Sequence, residues 1–217
     1  MKWLSVAVLG LCLGAHSAHA QDRPIVSLAA TDPTKWDAAG HIGWRGTDKS
    51  GIAAEWNEWA SAASFGASFG YHWTAHLKTE LDVATTTTSD VYVQTTVVTP
   101  PTVVFRSGEY HFHATSLSGV FLYQFGENAW FHPFVGGGVE TTRQRSRLDL
   151  RGPGCVGSCL PLVTSEAETS YEARPVAVAG FKWYVSERAF IRTDIRTMLS
   201  TNGAQAVAWR FGIGSDF

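Results

Sequence analysis

Two histidines in one short segment are the residues of this chain whose spacing most suggests chemistry. His111 and His113, in EYHFHAT, are two positions apart, so in a strand they share a face with Glu109 and Thr115. Such a pair could hold a metal ion, or one histidine could act as a general base. No third partner at a matched spacing completes either site, which favours a structural role. The sequence therefore predicts no catalytic residue, no metal ligand and no cofactor.

Three other features could recognise a ligand. The run Gly136 to Gly138 lacks the helix and lysine of a phosphate loop, so it predicts strand curvature or close packing. Trp56 and Trp59 could bind a sugar or a partner, although interface or loop packing suits tryptophan better. One polar segment carries arginines that could meet lipopolysaccharide phosphates or be solvated on an extended strand: Arg143, Arg145, Arg147 and Arg151.

The amino terminus predicts export. The segment MKWLSVAVLGLCLGAHSAHA has a basic Lys2, a short apolar core and an Ala18-His19-Ala20 cleavage signal. No stretch reaches the roughly 20 apolar residues that a membrane helix needs. We expect a signal peptide over residues 1–20, a periplasmic lead-in over 21–35 and one folded domain over 36–217.

Cleavage of that signal would leave two cysteines, Cys155 and Cys159, in GPGCVGSCLP. In an oxidising compartment two nearby cysteines predict a small disulfide loop. Half of a zinc site is the alternative, but no second Cys or His pair lies at a suitable spacing. The formal net charge of −2 over 217 residues argues against a nucleic-acid partner.

Hydrophobicity that alternates with a period of two recurs along the chain and predicts strands. In the last segment, QAVAWRFGIGSDF, Trp209, Phe211 and Ile213 fall on one face and Arg210 on the other. The continuously apolar Val120-Phe121-Leu122 predicts a bulge. Eight segments carry the strand pattern, over residues 36–46, 60–73, 77–83, 110–125, 129–142, 170–185, 189–199 and 205–217.

The connections between these strands alternate in length. Three turns are tight, and three connections are long, the first over residues 47–59. The second, residues 85–108, contains Pro100-Pro101 and predicts a long loop or a protruding hairpin. The third, residues 143–169, is polar and aperiodic and predicts a loop with the two cysteines at its tip. Short turns at one end and long loops at the other are typical of outer-membrane barrels.

Alternation alone does not tell which face is inside. In a soluble, lipocalin-like barrel the apolar face fills the interior, whereas in a membrane barrel it faces lipid and the charged face fills the interior. Phe217 at the end of the sequence, the loop asymmetry and tryptophans near strand ends favour the membrane barrel. Charges in so narrow an interior must pair. The predicted lumenal network comprises Arg45, Lys78, Glu80, Asp82, Glu140, Glu172, Arg174, Lys182, Arg192, Asp194, Arg196 and Arg210.

The hairpin LSGVFLYQFGENAWFHPFVGGGVE resembles one that recurs in the OmpA-like outer-membrane β-barrel family. The shared pattern is an aliphatic-Tyr-x-Phe strand end, a turn, and then Pro133-Phe134-Val135-Gly136. The resemblance implies an all-β, eight-stranded antiparallel up-and-down transmembrane β-barrel in the cell outer membrane. It also implies that Phe217 is an insertion signal read by the barrel-assembly machinery. The family's peptidoglycan-binding domain is absent from this sequence.

The expected function is that of a non-catalytic outer-membrane barrel of structural, surface-interaction or narrow-pore type. One alternative is a barrel enzyme that modifies outer-membrane lipid, because lipid A deacylases are small barrels with a Ser/His/Glu set. Their His-x-Ser arrangement is not reproduced, since Thr115 follows His113 at the nucleophile's place. A soluble periplasmic ligand-binding barrel is the second alternative. The expected partners are outer-membrane lipid and lipopolysaccharide, with no nucleic acid, and the expected state is a monomer.

Overall fold

The computed structural model describes residues 35–48, 59–99, 102–125, 130–151, 163–201 and 203–217. No helix in this described part of the chain is long and apolar enough to cross a membrane. The regular structure consists of antiparallel strands: β1 (Trp36–Asp48), β2 (Trp59–His72), β3 (Leu77–Thr86), β4 (Ser89–Thr99), β5 (Thr102–Gln124), β6 (Phe131–Arg151), β7 (Val163–Tyr184), β8 (Ala189–Ser200) and β9 (Gly203–Asp216).

The strands close into a ring of eight. Their hydrogen-bonded order is β3-β2-β1-β9-β8-β7-β6-β5, and the pairing of β3 with β5 completes the circle. The first and last strands are antiparallel neighbours, from Asp37 beside Asp216 to Thr47 beside Ala206. Near this seam the backbone N–H of Phe217 donates to the Trp36 carbonyl over 2.8 Å. The predicted eight-stranded up-and-down barrel is thus confirmed.

The ninth strand, β4, continues β3 along the same partner. β3 pairs with the half of β5 near Gln124, and β4 pairs with the other half, from Phe112 to Thr102. The backbone N–H of Thr87, between β3 and β4, donates to the Ala63 carbonyl on β2 over 2.8 Å. Past Thr87 the chain pairs with β5, so β4 leaves the ring but stays hydrogen-bonded to that strand.

Short turns close one end of the barrel, which we call the turn end. The hydroxyl of Thr74 accepts the backbone N–H groups of His76 and Leu77 over 3.2 and 3.0 Å. The hydroxyl of Ser186 does the same for Ala189 over 3.0 Å. Small polar side chains that satisfy turn amides in this way fix tight reversals. Residues 126–128, the third predicted tight turn, lie outside the described residues.

Four strands extend well beyond the other end of the ring. β5, β6 and β7 have 23, 21 and 22 residues, whereas about 9–11 suffice to cross a membrane. The protruding-hairpin interpretation of residues 85–108 is right, since β4 and β5 pair as far as Thr99 beside Thr102. The loop prediction for residues 143–169 is wrong, because β6 and β7 pair as far as Arg151 beside Val163. We call this four-stranded sheet, the parts of β4–β7 beyond the ring, the extension.

The distribution of polarity is inverted relative to a soluble protein. Large apolar side chains point outward, such as Ile42, which is 66% exposed, and Ile213, which is 64% exposed. Charged side chains point inward, and Glu80 is 0% exposed. A soluble lipocalin-like barrel would show the reverse arrangement. The outer surface is therefore matched to lipid, and the lumen holds the charges.

A small apolar cluster interrupts the charged lumen. Val120 and Leu122 point inward from β5, and Phe121 points outward with 61% exposure. The continuously apolar run therefore keeps its alternation, and the predicted bulge is absent because β5 pairs with β6 in unbroken register. The cluster consists of Val120, Leu122, Phe134, Val176 and Val178.

The glycine run on β6 packs closely against β5. A Cβ atom on Gly138 would lie 2.7 Å from Val120 Cα, closer than unbonded carbons approach, so that side of β6 must stay bare. Gly119 on β5 faces outward and has open space around it. The close-packing interpretation of residues 136–138 is consistent with this geometry.

Candidate functional site

The lumen is filled by charged side chains that ring closure brings together from distant parts of the chain. Six carboxylates and six Lys or Arg side chains are buried there, so the set is neutral before any histidine is counted. Neutrality matters because an unpaired charge in a narrow, water-poor interior is expensive. The twelve residues are Asp37, Glu80, Asp82, Glu140, Asp194, Asp216, Arg45, Lys78, Lys182, Arg192, Arg196 and Arg210.

Glu80 lies at the centre of the network. Its carboxylate accepts from Arg192 over 2.5 Å and from Arg196 over 2.8 Å. Lys78, two residues earlier on β3, approaches within 2.8 Å. Three cations on two strands, Lys78 on β3 and both arginines on β8, therefore share one carboxylate, and Glu80 bridges β3 to β8 across the barrel.

The next layer joins two aspartates to two arginines. Arg210 donates to Asp194 over 2.9 Å and to Asp82 over 2.7 Å. His41 lies 2.9 Å from Asp82, and Arg196 lies 3.5 Å from both aspartates. Because the partners stand on β1, β3, β8 and β9, this layer crosslinks opposite walls.

The layer at the turn end is built around Asp37. Lys78 donates to Asp37 over 2.6 Å, Lys182 contacts the same oxygen, and His72 lies 3.2 Å away. Asp37, His72 and Asp216 approach closely enough to suggest a metal site. The two ammonium groups already neutralise Asp37, so this layer is better described as an ion-pair cluster.

Fewer buried charges lie in the lumen near the extension than near the turn end. Arg45 donates to Glu140 over 2.6 Å and contacts the Met198 sulfur at 2.8 Å. Glu172 and Arg174 contact each other, but both are only half-buried. These two were expected inside the lumen and instead sit where β7 leaves the ring, since β7 pairs with β8 only from Val176 onward.

The sequence-predicted network omitted three buried partners, Asp37, His41 and Asp216. The period-two alternation along β1 and β9 could have identified these three residues. Asp37 and His41 share a face of β1 with Arg45, and Asp216 shares a face of β9 with Arg210. The other ten predicted residues besides Glu172 and Arg174 are buried in the lumen.

Little space is left inside the ring. Two interior cavities beside Arg45 measure about 20 and 40 Å³, room for very few water molecules. Aromatic rings fill the apolar gaps and meet cations: the Arg192 guanidinium lies 4.7 Å from the Phe134 ring and the Lys182 ammonium 4.1 Å from the Phe190 ring.

Aromatic side chains form two belts on the outer surface. On β1 the outward-facing Trp36 and Trp44 lie roughly 26 Å apart along the strand at about 3.3 Å per residue. A strand tilt of about 40° reduces this spacing to a height of roughly 20 Å, slightly less than the apolar band of about 25 Å. Trp36 stacks on Phe69 with ring centroids 5.1 Å apart, at the turn end. Trp209 lies opposite Trp44, at the extension end.

Comparison with known proteins agrees with this geometry. The family described as outer membrane protein beta-barrel domain matches residues 8–217. The chain belongs to this family of outer-membrane β-barrels.

Solved barrels of similar architecture have low sequence identity to this outer-membrane barrel. The N-terminal β-barrel domain of Pseudomonas aeruginosa OprF is 14% identical with a TM-score of 0.51, and the match covers 85% of this chain and 99% of that one. OprG from the same organism is 15% identical, with a TM-score of 0.49 and coverage of 85% and 97%. Ail of Yersinia pestis is 10% identical, with a TM-score of 0.47 and coverage of 84% and 99%. No curated protein sequence matches the chain.

In this outer-membrane barrel the two histidines lie on the outer face of the extension. His111 Nδ1 lies 2.5 Å from Asp90 Oδ1, while Asp149 approaches its Nε2 at 3.6 Å. His113 Nε2 lies 3.1 Å from the hydroxyl of Thr85. Among the described residues no carboxylate pairs with His113, so the Thr85–His113 contact lacks the acid that would orient a general base.

Three of the four arginines share that outer face. Arg143 lies 5.8 Å above the Tyr171 ring, and Arg147 donates to Asp149 over 3.0 Å. A hydrogen bond from Ser165, and then Arg147, lowers the pKa of Asp149, which keeps this carboxylate anionic and bound. Arg145 has no ion pair, hydrogen bond or ring contact within the described ranges.

Other sequence-predicted features lie beyond this description. Trp59 begins β2 and is 38% exposed at the extension end of the outer surface. Trp56, Cys155 and Cys159 lie outside the described residues, as does the side chain of Arg151. The disulfide therefore stays a prediction, as do the signal peptide and the lead-in.

Proposed function

We propose that the protein is a non-catalytic integral outer-membrane barrel with a closed lumen, and that its extension acts as an interaction surface outside the cell. The observation that carries this proposal is the neutral network of twelve buried charges, crosslinked across the ring. The buried carboxylates contact cations on other strands, as Glu80 contacts Arg192 across the barrel. Such an interior stabilises the barrel and leaves no continuous path for solutes.

The extension supports a surface role. Short turns of outer-membrane barrels face the periplasm and longer segments face outward, so β4–β7 would project from the cell. Its outer face carries His111, His113, Arg145 and Arg147 rather than the apolar side chains of the ring below. A polar sheet continuous with the barrel can present binding groups above the membrane.

A lipid-modifying enzyme is less well supported. The best candidate for a nucleophile and base is Thr85 with His113, at 3.1 Å. A threonine hydroxyl needs a base that is itself oriented by a third group, and the part of the chain that is described provides no acid on His113. We therefore assign the histidines a binding or structural role.

Conductance across planar lipid bilayers tests the closed lumen. We expect no steps of porin size from the refolded protein, because paired charges and aromatic rings fill the ring. A large porin in the same bilayer shows that open channels would be detected. Porin-sized steps from this protein would contradict the proposal.

A further inference from the structure

We propose that the outer face of β5–β7, just beyond the lipid-facing band, binds the phosphate of a phosphorylated glycolipid of the outer leaflet, namely lipid A. The inference rests on the proposed membrane placement and identifies a partner for the extension. The site consists of His111, His113, Arg145 and Arg147 with Thr169. Arg143, one row closer to the membrane, adds a further positive charge.

The height of these side chains fits a headgroup. Strand register places Leu117, Thr141 and Ala173 in one outward row at the edge of the apolar band. The next row from the ring is Thr115, Arg143 and Tyr171, and the row after that is His113, Arg145 and Thr169.

Rows on one face are two residues apart, so Arg145 lies roughly 13 Å along the strand from Thr141. Tyr171, which is 70% exposed, marks the interface in the manner of barrel aromatic belts. Arg143 and Arg145 therefore stand where the phosphates of the outer leaflet lie.

The surface there is concave. A shallow depression of about 430 Å³ lies over β5–β7, with His111 and His113 on one side, Arg145 and Arg147 in the middle, and Thr169 beyond. Glu168 also lines it, but it alternates with Thr169 along β7, so its side chain is directed to the other face of the sheet. A phosphate with part of its sugar fits a space of this size. Guanidinium groups donate to phosphate oxygens through a planar fork, and a hydroxyl adds a neutral donor.

The charges in this depression are not equally available. Arg147 is engaged by Asp149, and His111 by Asp90. Arg145 has no partner among the described residues. Because its exposed guanidinium lies beside two other arginines, a bound anion would relieve their mutual repulsion. The carboxylates of Glu109 and Asp149 lie two rows farther from the membrane than Arg145, so the part of this face nearest the lipid carries the positive charge.

Lipid binding can be measured on the full chain, refolded in detergent micelles, by native mass spectrometry. The probes are lipid A with both phosphates and the same lipid with both phosphates removed. We expect the phosphorylated lipid to bind more tightly. We expect Arg145→Gln to weaken that binding about fivefold, since one basic side chain near an anionic surface contributes on the order of 1 kcal/mol. Arg145→Lys should retain most of the binding.

Arg188→Gln is the matched control, because Arg188 is an exposed arginine in the turn at the opposite end of the barrel. It should leave the affinity unchanged. Equal binding of the two lipids, or equal losses from Arg145→Gln and Arg188→Gln, would overturn the phosphate site. Heat-modifiable gel migration shows separately whether each protein has folded, and binding is compared only between folded proteins. Failure of the unsubstituted chain to form the barrel would count against the proposed function instead.

Discussion

Glu80 shows how a buried charge can be both costly and necessary. Its carboxylate is fully enclosed and meets Lys78, Arg192 and Arg196. Removing both members of a buried ion pair is often neutral, because desolvation offsets attraction. Removing one member leaves the others uncompensated, and here three cations would lose their shared anion.

Glu80→Gln should therefore lower the free energy of unfolding by about 3–5 kcal/mol, the range for breaking a buried pair. Urea titration of the refolded protein in lipid vesicles, followed by tryptophan fluorescence, measures the change. Glu172→Gln is the control: Glu172 pairs with Arg174 at a half-exposed site, so its loss should stay below about 1 kcal/mol. Comparable losses in the two variants would contradict the central role of Glu80.

The alternation of polar and apolar residues along each strand predicts which side chains enter the lumen, but not which of them contact each other there. The alternation of β3 places Lys78, Glu80 and Asp82 on one face, and all three are buried. The contact of Glu80 with Arg192 joins residues 112 positions apart. Such pairs depend on strand tilt and stagger around the ring, which local hydrophobic patterns do not encode.

At the scale of the strand, hydrophobicity alternates along the sequence because the two faces of the strand meet different environments. Within the ring one face meets lipid and the other meets packed charges, so the contrast along β9 is strong. Beyond the ring both faces of β6 and β7 meet water. Residues 143–169 therefore lose their period although most of them form strand, which is why the sequence predicted a loop there.

The face assignment of β9 can be tested with one pair of substitutions. Phe211 points outward with 46% exposure near the middle of the strand, so Phe211→Arg should cost about 2–4 kcal/mol in lipid vesicles. Ala208 lines the lumen beside Arg45, and Ala208→Ser should cost much less. Gly212 cannot serve as the lumenal control, because a Cβ there would lie 2.8 Å from the Gly40 carbonyl. If Ala208→Ser costs as much as Phe211→Arg, the inside and outside of the barrel are assigned wrongly.

At the scale of the whole molecule, stability and specificity come from closure. An open sheet with this composition would expose an apolar face and a strand edge. Closing β1 on β9 satisfies the backbone and brings six carboxylates and six basic side chains into one compartment. The neutrality of that compartment belongs to no single hairpin, and crosslinks such as Glu80–Arg192 join strands on opposite sides of the ring, so the complete network forms only when the ring closes.

Phe217 lies where β1 meets β9. Substituting it can distinguish the stability of the barrel from its assembly in the cell. The Phe217 backbone exchanges two hydrogen bonds with Trp36, over 2.8 and 3.1 Å, while the residue as a whole is 54% exposed and its ring lies 6.2 Å from the Phe69 ring. Phe217→Ala keeps the backbone bonds, so refolding stability in vesicles should change by no more than about 1 kcal/mol.

If the ring is the signal that the assembly machinery reads, the same substitution should strongly reduce the heat-modifiable barrel recovered from cell outer membranes. Phe211→Ala, which removes a lipid-facing ring from the same strand, is the matched control and should be recovered much better. Equal recovery of the two variants would mean that Phe217 contributes only apolar surface.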